Sequence, residues 1–153
     1  NEVKSKIENN LMLFYLESKR DASKILEAQV LETSNKMSEL RDLKKLVSSL
    51  REIFSEGLEL RRFGEVLDKG WNIKKNLTEE ISSRVIDDYY QKAINAGAIG
   101  GKLLGAGAGG FLLFYVEDKD KSSVRNALSD LYFLPFKFDN GGSRITYYDQ
   151  PII

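Results

Sequence analysis

The chain holds 153 residues, room for one domain with a sizeable core, and its 23 basic residues balance 23 acidic ones. That balance leaves no global field to draw nucleic acid or an anionic membrane surface. The chain contains neither Cys nor His, which excludes a disulfide framework, a thiolate zinc site and the commonest metal ligand and acid–base group.

No apolar run approaches a membrane span and no signal-peptide core opens the sequence, so a cytoplasmic domain is expected. Residues 4–10 are polar around Ile7 and predict a helical turn. The six apolar residues 11–16 predict a strand buried on both faces. Asp21 or Ser23 then caps a helix with Ala22, Ile25, Leu26 and Val30 at helical spacing. Over 38–54, Leu40, Leu43, Leu46, Val47, Leu50, Ile53 and Phe54 fall on one helical face, with Gly57 as the stop. A short helix carrying Leu60, Phe63 and Leu67 is predicted to end at Gly70.

Trp71, the single Trp, stands just before Lys74 and Lys75. A Trp at helical spacing reads as core, and paired lysines at a helix end read as solvated and dipole-complementing. The sharper reading brings Lys74 or Lys75 to a substrate phosphate. Thr78, followed by Glu79 and Glu80, predicts a capped helix through Ile81, Val85, Tyr89 and Ala93 to a left-handed stop at Gly97. Asp87 and Asp88 read as solvated on that helix rather than as metal ligands.

Seven of the twelve glycines then fall within 97–110, and the apolar strand 111–116 follows at once. Backbone without Cβ can adopt φ > 0 and approach a ligand closely, leaving a row of N–H groups able to cradle phosphate. The bland reading is a tight connection between packed strands, but seven glycines exceed what a hairpin turn requires. A Walker loop fails, because Ala96 stands at its first Gly and Leu103 at its Ser/Thr. A dinucleotide fingerprint fails because a strand, not a helix, follows the glycines. Lys102, just before the loop, points at a phosphate or out to water.

Beyond the loop, residues 122–131 predict a helix with Val124, Ala127, Leu128 and Leu131 inward. The alternating segments 134–138 and 143–148 predict two strands joined by the turn 139–142. The element order describes a split β-α-β core with helices added in its first crossover. The expected fold is α+β: a ferredoxin-like antiparallel sheet with additional helices on one face.

The stretch 102–111 (K-L-L-G-A-G-A-G-G-F) resembles the third motif of the GHMP kinases, the galactokinase, homoserine, mevalonate and phosphomevalonate kinase family. In that motif a helix ends in Gly-Ala, and a short strand leads into G-A-G-G-G-G and an apolar strand. Ala108 departs from the pattern, a mild change provided that the position needs only φ < 0. The longer run 97–116, the segment 13–29 ending R-D-A-S-K-I-L-E-A-Q, and Phe63, Gly64, Leu67, Trp71, Lys74 and Lys75 look most like the branch acting on heptose 7-phosphate.

The resemblance implies a C-terminal kinase domain, a fragment whose N-terminal domain carries the nucleotide loop and the acceptor carboxylate. ATP and Mg2+ would be bound mainly there, and no residue of this chain is expected to be catalytic. Lys102, Gly105, Ala106, Gly107, Ala108, Gly109 and Gly110 would line the substrate and phosphate cleft, with Trp71, Lys74 and Lys75 as further substrate contacts. The expected partners are the N-terminal domain and a small sugar phosphate. The rival reading is a non-catalytic ligand-sensing or assembly module of the same fold.

Overall fold

A computed structural model of the chain describes residues 2–17, 22–56 and 59–147. Helix α1 (Glu2–Asn9) leads into strand β1 (Leu11–Leu16). Three helices follow: α2 (Ala22–Glu32), α3 (Met37–Glu56) after a 3-10 turn at Thr33–Lys36, and α4 (Arg61–Lys75). Helix α5 (Arg84–Asn95) precedes the hairpin of β2 (Gly100–Leu104) and β3 (Gly110–Tyr115). Helix α6 (Lys121–Ala127) and strand β4 (Tyr132–Leu134) complete the elements. Among the described residues no helix is long and apolar enough to cross a membrane.

The four strands pair antiparallel in the order β2-β3-β1-β4, the expected ferredoxin-like arrangement. Period-two alternation decides what each face carries. Met12, Phe14, Leu16, Leu103, Leu112 and Phe114 share one face and pack beneath Ile86, Tyr90 and Ala93 of α5, Val124 of α6 and Trp71 of α4. On the other face Leu11 and Tyr115 join Ile7, Ile53 and Phe63 in a second, smaller cluster. That cluster covers only the far end of the sheet. Near the loop, Tyr15 is exposed and rests on Phe111 with ring centroids 5.3 Å apart. The expected burial of β1 on both faces therefore fails at Tyr15.

Helix α4 sets the position of the sheet edge. It runs straight through Gly70, which was expected to stop it. A Cβ on Gly70 would touch Leu46 Cδ1 at 3.4 Å, so this glycine serves the crossing of α3 over α4. Closer still is the approach of α4 to β2. A Cβ on Gly100 would lie 2.1 Å from the Gly64 carbonyl oxygen, and one on Gly101 would lie 2.4 Å from that of Leu113. Two of the seven clustered glycines thus permit backbone contact within the domain rather than ligand approach.

The segment 78–97 contains two caps where one was expected. The Thr78 hydroxyl accepts from the Glu80 amide and caps only the 3-10 turn Glu79–Ile81. Extended Ser82 and Ser83 intervene, and Ser83 caps α5 by accepting from the Ile86 amide. The restart shifts the helical register, so Ile86, Tyr90 and Ala93 are buried and Val85 is exposed. Gly97 ends α5 at φ +110, with Gly97 and Ala98 donating to the carbonyls of Ile94 and Ala93.

On α2 the expected inward face is only partly used. Ile25 is buried, while Leu26 and Val30 are exposed. The Asp21 cap and the Gly57 stop lie outside the described residues. At the C-terminus, 143–147 forms no strand, and Ile145 and Tyr147 are exposed. Residues 136–138 instead fold over α1, where Glu8 accepts from the Phe138 amide and from Lys137 Nζ at 2.9 Å. Those bonds, the backbone amide first, hold the Glu8 carboxyl below its usual range. Tyr148 lies outside the described residues.

The Gly64–Gly100 contact predicts that Gly100→Ala destabilises the domain by about 3 kcal/mol or more, since the new Cβ meets fixed backbone. Thermal denaturation checks this; a melting temperature within a degree of the parent would contradict the contact.

Candidate functional site

The glycine loop is the turn of the β2–β3 hairpin, closed by the pair Leu104 and Phe111. Its backbone is almost wholly left-handed: φ is +100 at Gly105, +140 at Gly107, +58 at Ala108, +149 at Gly109 and +113 at Gly110. Ala108 corrects an expectation, because the one departure from the G-A-G-G-G-G pattern falls on a positive φ. Its side chain is buried, and its methyl group belongs to the main core. Packing therefore holds the alanine in a conformation that a Cβ disfavours.

Three elements tie the loop down. The Ala108 amide donates to the Ile81 carbonyl at 2.9 Å, and a Cβ on Gly107 would lie 2.9 Å from Ile81 Cα. From α2, Gln29 Nε2 donates to the Ala106 carbonyl at 3.2 Å. From α4, Lys74 Nζ donates to the Gly105 carbonyl at 2.7 Å. Among the described residues the Ala108 bond is the only backbone hydrogen bond made by the amides of 105–109. The loop is thus anchored at Ala108 and open at Gly105, where a Cβ would meet no atom of the described residues within 4 Å.

Lys74 reaches the open end, with Lys102 nearby on β2. Lys74 is half-buried, and its pKa is lowered, by burial first and then by the nearby Lys102 ammonium. Lys102 lies on β2, on the sheet face away from the main core, opposite Leu113. Lys75 is held elsewhere, 3.3 Å from Asp87 and with its Nζ 5.8 Å from the ring centroids of both Trp71 and Tyr90. It lines a separate open cleft of about 760 Å³ together with Glu32, Glu39, Thr78, Glu79 and Glu80. Trp71 is a core residue at 1% exposure, its ring tilted against that of Tyr90 and its indole N–H unpartnered.

Beneath Lys102, the Tyr90 hydroxyl donates to Asp68 Oδ1 at 2.7 Å and accepts from the Gly101 amide at 3.1 Å. Burial, then the Asp68 carboxylate, pushes the phenol far above its usual range, so it stays a neutral bridge from helix to strand. Nothing in the sequence pointed to Tyr90, Asp68, Ile81 or Gln29 as supports of the loop. Gln29 was within reach, since it ends the kinase-like segment 13–29. Ile81 acts through its carbonyl and left no side-chain signal.

The family described as GHMP kinases C terminal matches residues 50–133, more than half of the chain. The chain belongs to that family. Among curated proteins, the D-glycero-alpha-D-manno-heptose 7-phosphate kinase of Campylobacter jejuni is 30% identical, over 93% of this chain and 43% of its own length. The galactokinase of Pyrococcus furiosus is 29% identical, over 81% of this chain and 39% of its own. The mevalonate kinase structure from Methanococcus jannaschii shares the fold, with a TM-score of 0.71 at 21% identity, covering 88% of this chain and 41% of that one. The chain therefore spans less than half the length of the kinases it matches.

Loop geometry predicts contrasting variants. Ala108→Gly relieves about 1–2 kcal/mol of left-handed strain. It also loses about 0.8 kcal/mol of methyl burial and some rigidity of the unfolded chain, for a net change within about 1 kcal/mol. Gly107→Val meets the Ile81 backbone and should displace the loop, destabilising the domain by about 2 kcal/mol. Denaturant titration of both variants checks the pair; equal stabilities would contradict the loop geometry.

Proposed function

We propose that this chain is the C-terminal half of an ATP-dependent sugar-phosphate kinase with a heptose 7-phosphate-like acceptor. In this reading residues 1–153 form one domain whose loop lines the substrate and phosphate cleft. Lys102, Gly105, Ala106, Gly109 and Gly110 line the cleft for the phosphate-bearing substrate, joined by Lys74, whereas Gly107 and Ala108, expected there too, are packed on Ile81 and seat the loop instead of facing the cleft. Trp71 and Lys75 act from beneath by positioning α4. The observation that carries the proposal is a left-handed loop with the Lys74 ammonium on its Gly105 carbonyl and Lys102 nearby on the strand that leads into it.

Phosphoryl transfer is largely positioning and electrostatic stabilisation, and amides with ammonium groups supply both. The heptose 7-phosphate kinase relative supports the choice of acceptor. Its partner in the reading is an N-terminal domain that supplies the nucleotide loop and the carboxylate meeting the acceptor hydroxyl. ATP and Mg2+ belong mainly to that domain. Among the described residues no group of three or more acidic side chains could hold a metal ion, so no step is routed through Mg2+ here.

The complete polypeptide, assayed with ATP against a panel of sugars and sugar phosphates, should release ADP with a sugar phosphate as acceptor. The 153-residue chain alone should release none. Turnover by the isolated chain, or no turnover by the complete polypeptide on any sugar or sugar phosphate, would overturn the proposal.

A further inference from the structure

Lys74 and Lys75 are neighbours in the last turn of α4, yet they meet different partners. Lys75 takes the Asp87 carboxylate at 3.3 Å. Lys74 has only a neutral carbonyl, that of Gly105, at 2.7 Å. Among the described residues neither Lys74 nor Lys102 pairs with a carboxylate. Lys74 thus sits on the Gly105 carbonyl, and Lys102 stands three residues before Gly105 on β2, near enough for the two ammonium groups to repel each other. Burial and mutual repulsion both disfavour that arrangement in the empty domain. A neutral carbonyl is a weaker partner for an ammonium than an anionic oxygen. A Cβ on Gly105 would meet no atom of the described residues within 4 Å, so none of them fills the space beside it.

We propose that Lys74 and Lys102 clamp a phosphate monoester carried by the acceptor, with Lys74 leaving the Gly105 carbonyl for a phosphate oxygen. The inference rests on the kinase reading above and adds to it where the acceptor's own phosphate sits. The match is one of charge: a monoester carries close to two negative charges at neutral pH, and two ammonium groups face it. A carboxylate or phosphodiester carries only one. Release of the Gly105 carbonyl frees the open end of the loop, while the Ala108–Ile81 bond keeps the closed end in place. Acceptor binding is thereby linked to the shape of the loop.

The terminal phosphate of a nucleotide has the same chemistry, so the test separates the two sources. The complete polypeptide and its Lys74→Met, Lys102→Met and Lys74→Arg variants are titrated calorimetrically with heptose 7-phosphate, the unphosphorylated heptose and ATP. Each Met variant should weaken heptose 7-phosphate about tenfold while leaving the unphosphorylated sugar and ATP unchanged. Lys74→Arg should keep most of the affinity. Loss confined to ATP, or no loss at all, would overturn the clamp. Amide shifts of Gly105 and Ala106 on adding inorganic phosphate to the parent protein give a readout that needs no variant; unmoved amides count against it. Turnover with ATP judges the kinase reading separately. An active enzyme with unaffected variants sinks the clamp alone. Lysine-dependent heptose 7-phosphate binding without any ATP turnover sinks the kinase reading and leaves the clamp standing.

Discussion

Everything at the loop depends on how closely α4 approaches β2. The Gly64 carbonyl and the Gly100 Cα face each other so tightly that a single methyl group would stand 2.1 Å from the oxygen. That contact fixes the helix along the sheet edge, and the rest follows from the length of α4. Ten residues beyond Gly64, at 1.5 Å per residue, the helix has advanced about 15 Å, and Lys74 arrives at the far end of β2 where the hairpin turns. Tyr90 pins the same junction from α5, bridging Asp68 on the helix and the Gly101 amide on the strand. Bulkier residues at either glycine would lift α4 away and move the Lys74 ammonium from the loop.

The loop itself combines strain with anchorage. A run of left-handed residues is costly to hold, and a hairpin turn alone would not keep it. Here the surrounding domain imposes it: Ala108 is buried, its amide is bonded to Ile81, and Gly107 presses on the same residue. The end that faces out, at Gly105, is held by side chains from α2 and α4 rather than by backbone. Side-chain bonds exchange for a ligand more readily than a buried backbone bond does. The arrangement leaves one end of the turn fixed and the other able to respond.

Much of this was legible in the sequence, and the failures have physical reasons. Strand β1 has the bounds read from its apolar run, and the hairpin glycines announced themselves by number. Gly70 misled because a glycine inside a helix and a glycine stopping one look alike; what distinguishes them is the packing of Leu46, which lies in another helix. The helix from Thr78 failed because two caps, Thr78 and Ser83, stand five residues apart, and the extended pair Ser82–Ser83 resets the register. Ala108 looked tolerant of any ordinary φ, since nothing local says that core packing will hold it at +58. Segment 143–148 alternates like a strand, yet alternation does not supply a neighbouring edge to pair with. The lysines illustrate the limit best: spacing placed Lys74 and Lys75 on one helix end but could not say which would reach the loop.

Net charge conceals the feature with the most chemical consequence. The chain is neutral overall, and eleven ion pairs among the described residues match many of its charges locally. Most join exposed side chains and contribute little to stability. The informative charges are those left out of the pairing. Burial, then Lys102, lowers the Lys74 pKa, yet its ammonium faces a carbonyl rather than a carboxylate of the described residues. A carboxylate there would satisfy the lysine permanently and close the loop mouth to any other anion. A neutral oxygen holds the ammonium in place only until a better acceptor arrives. The missing acid is therefore what keeps the position available for a ligand.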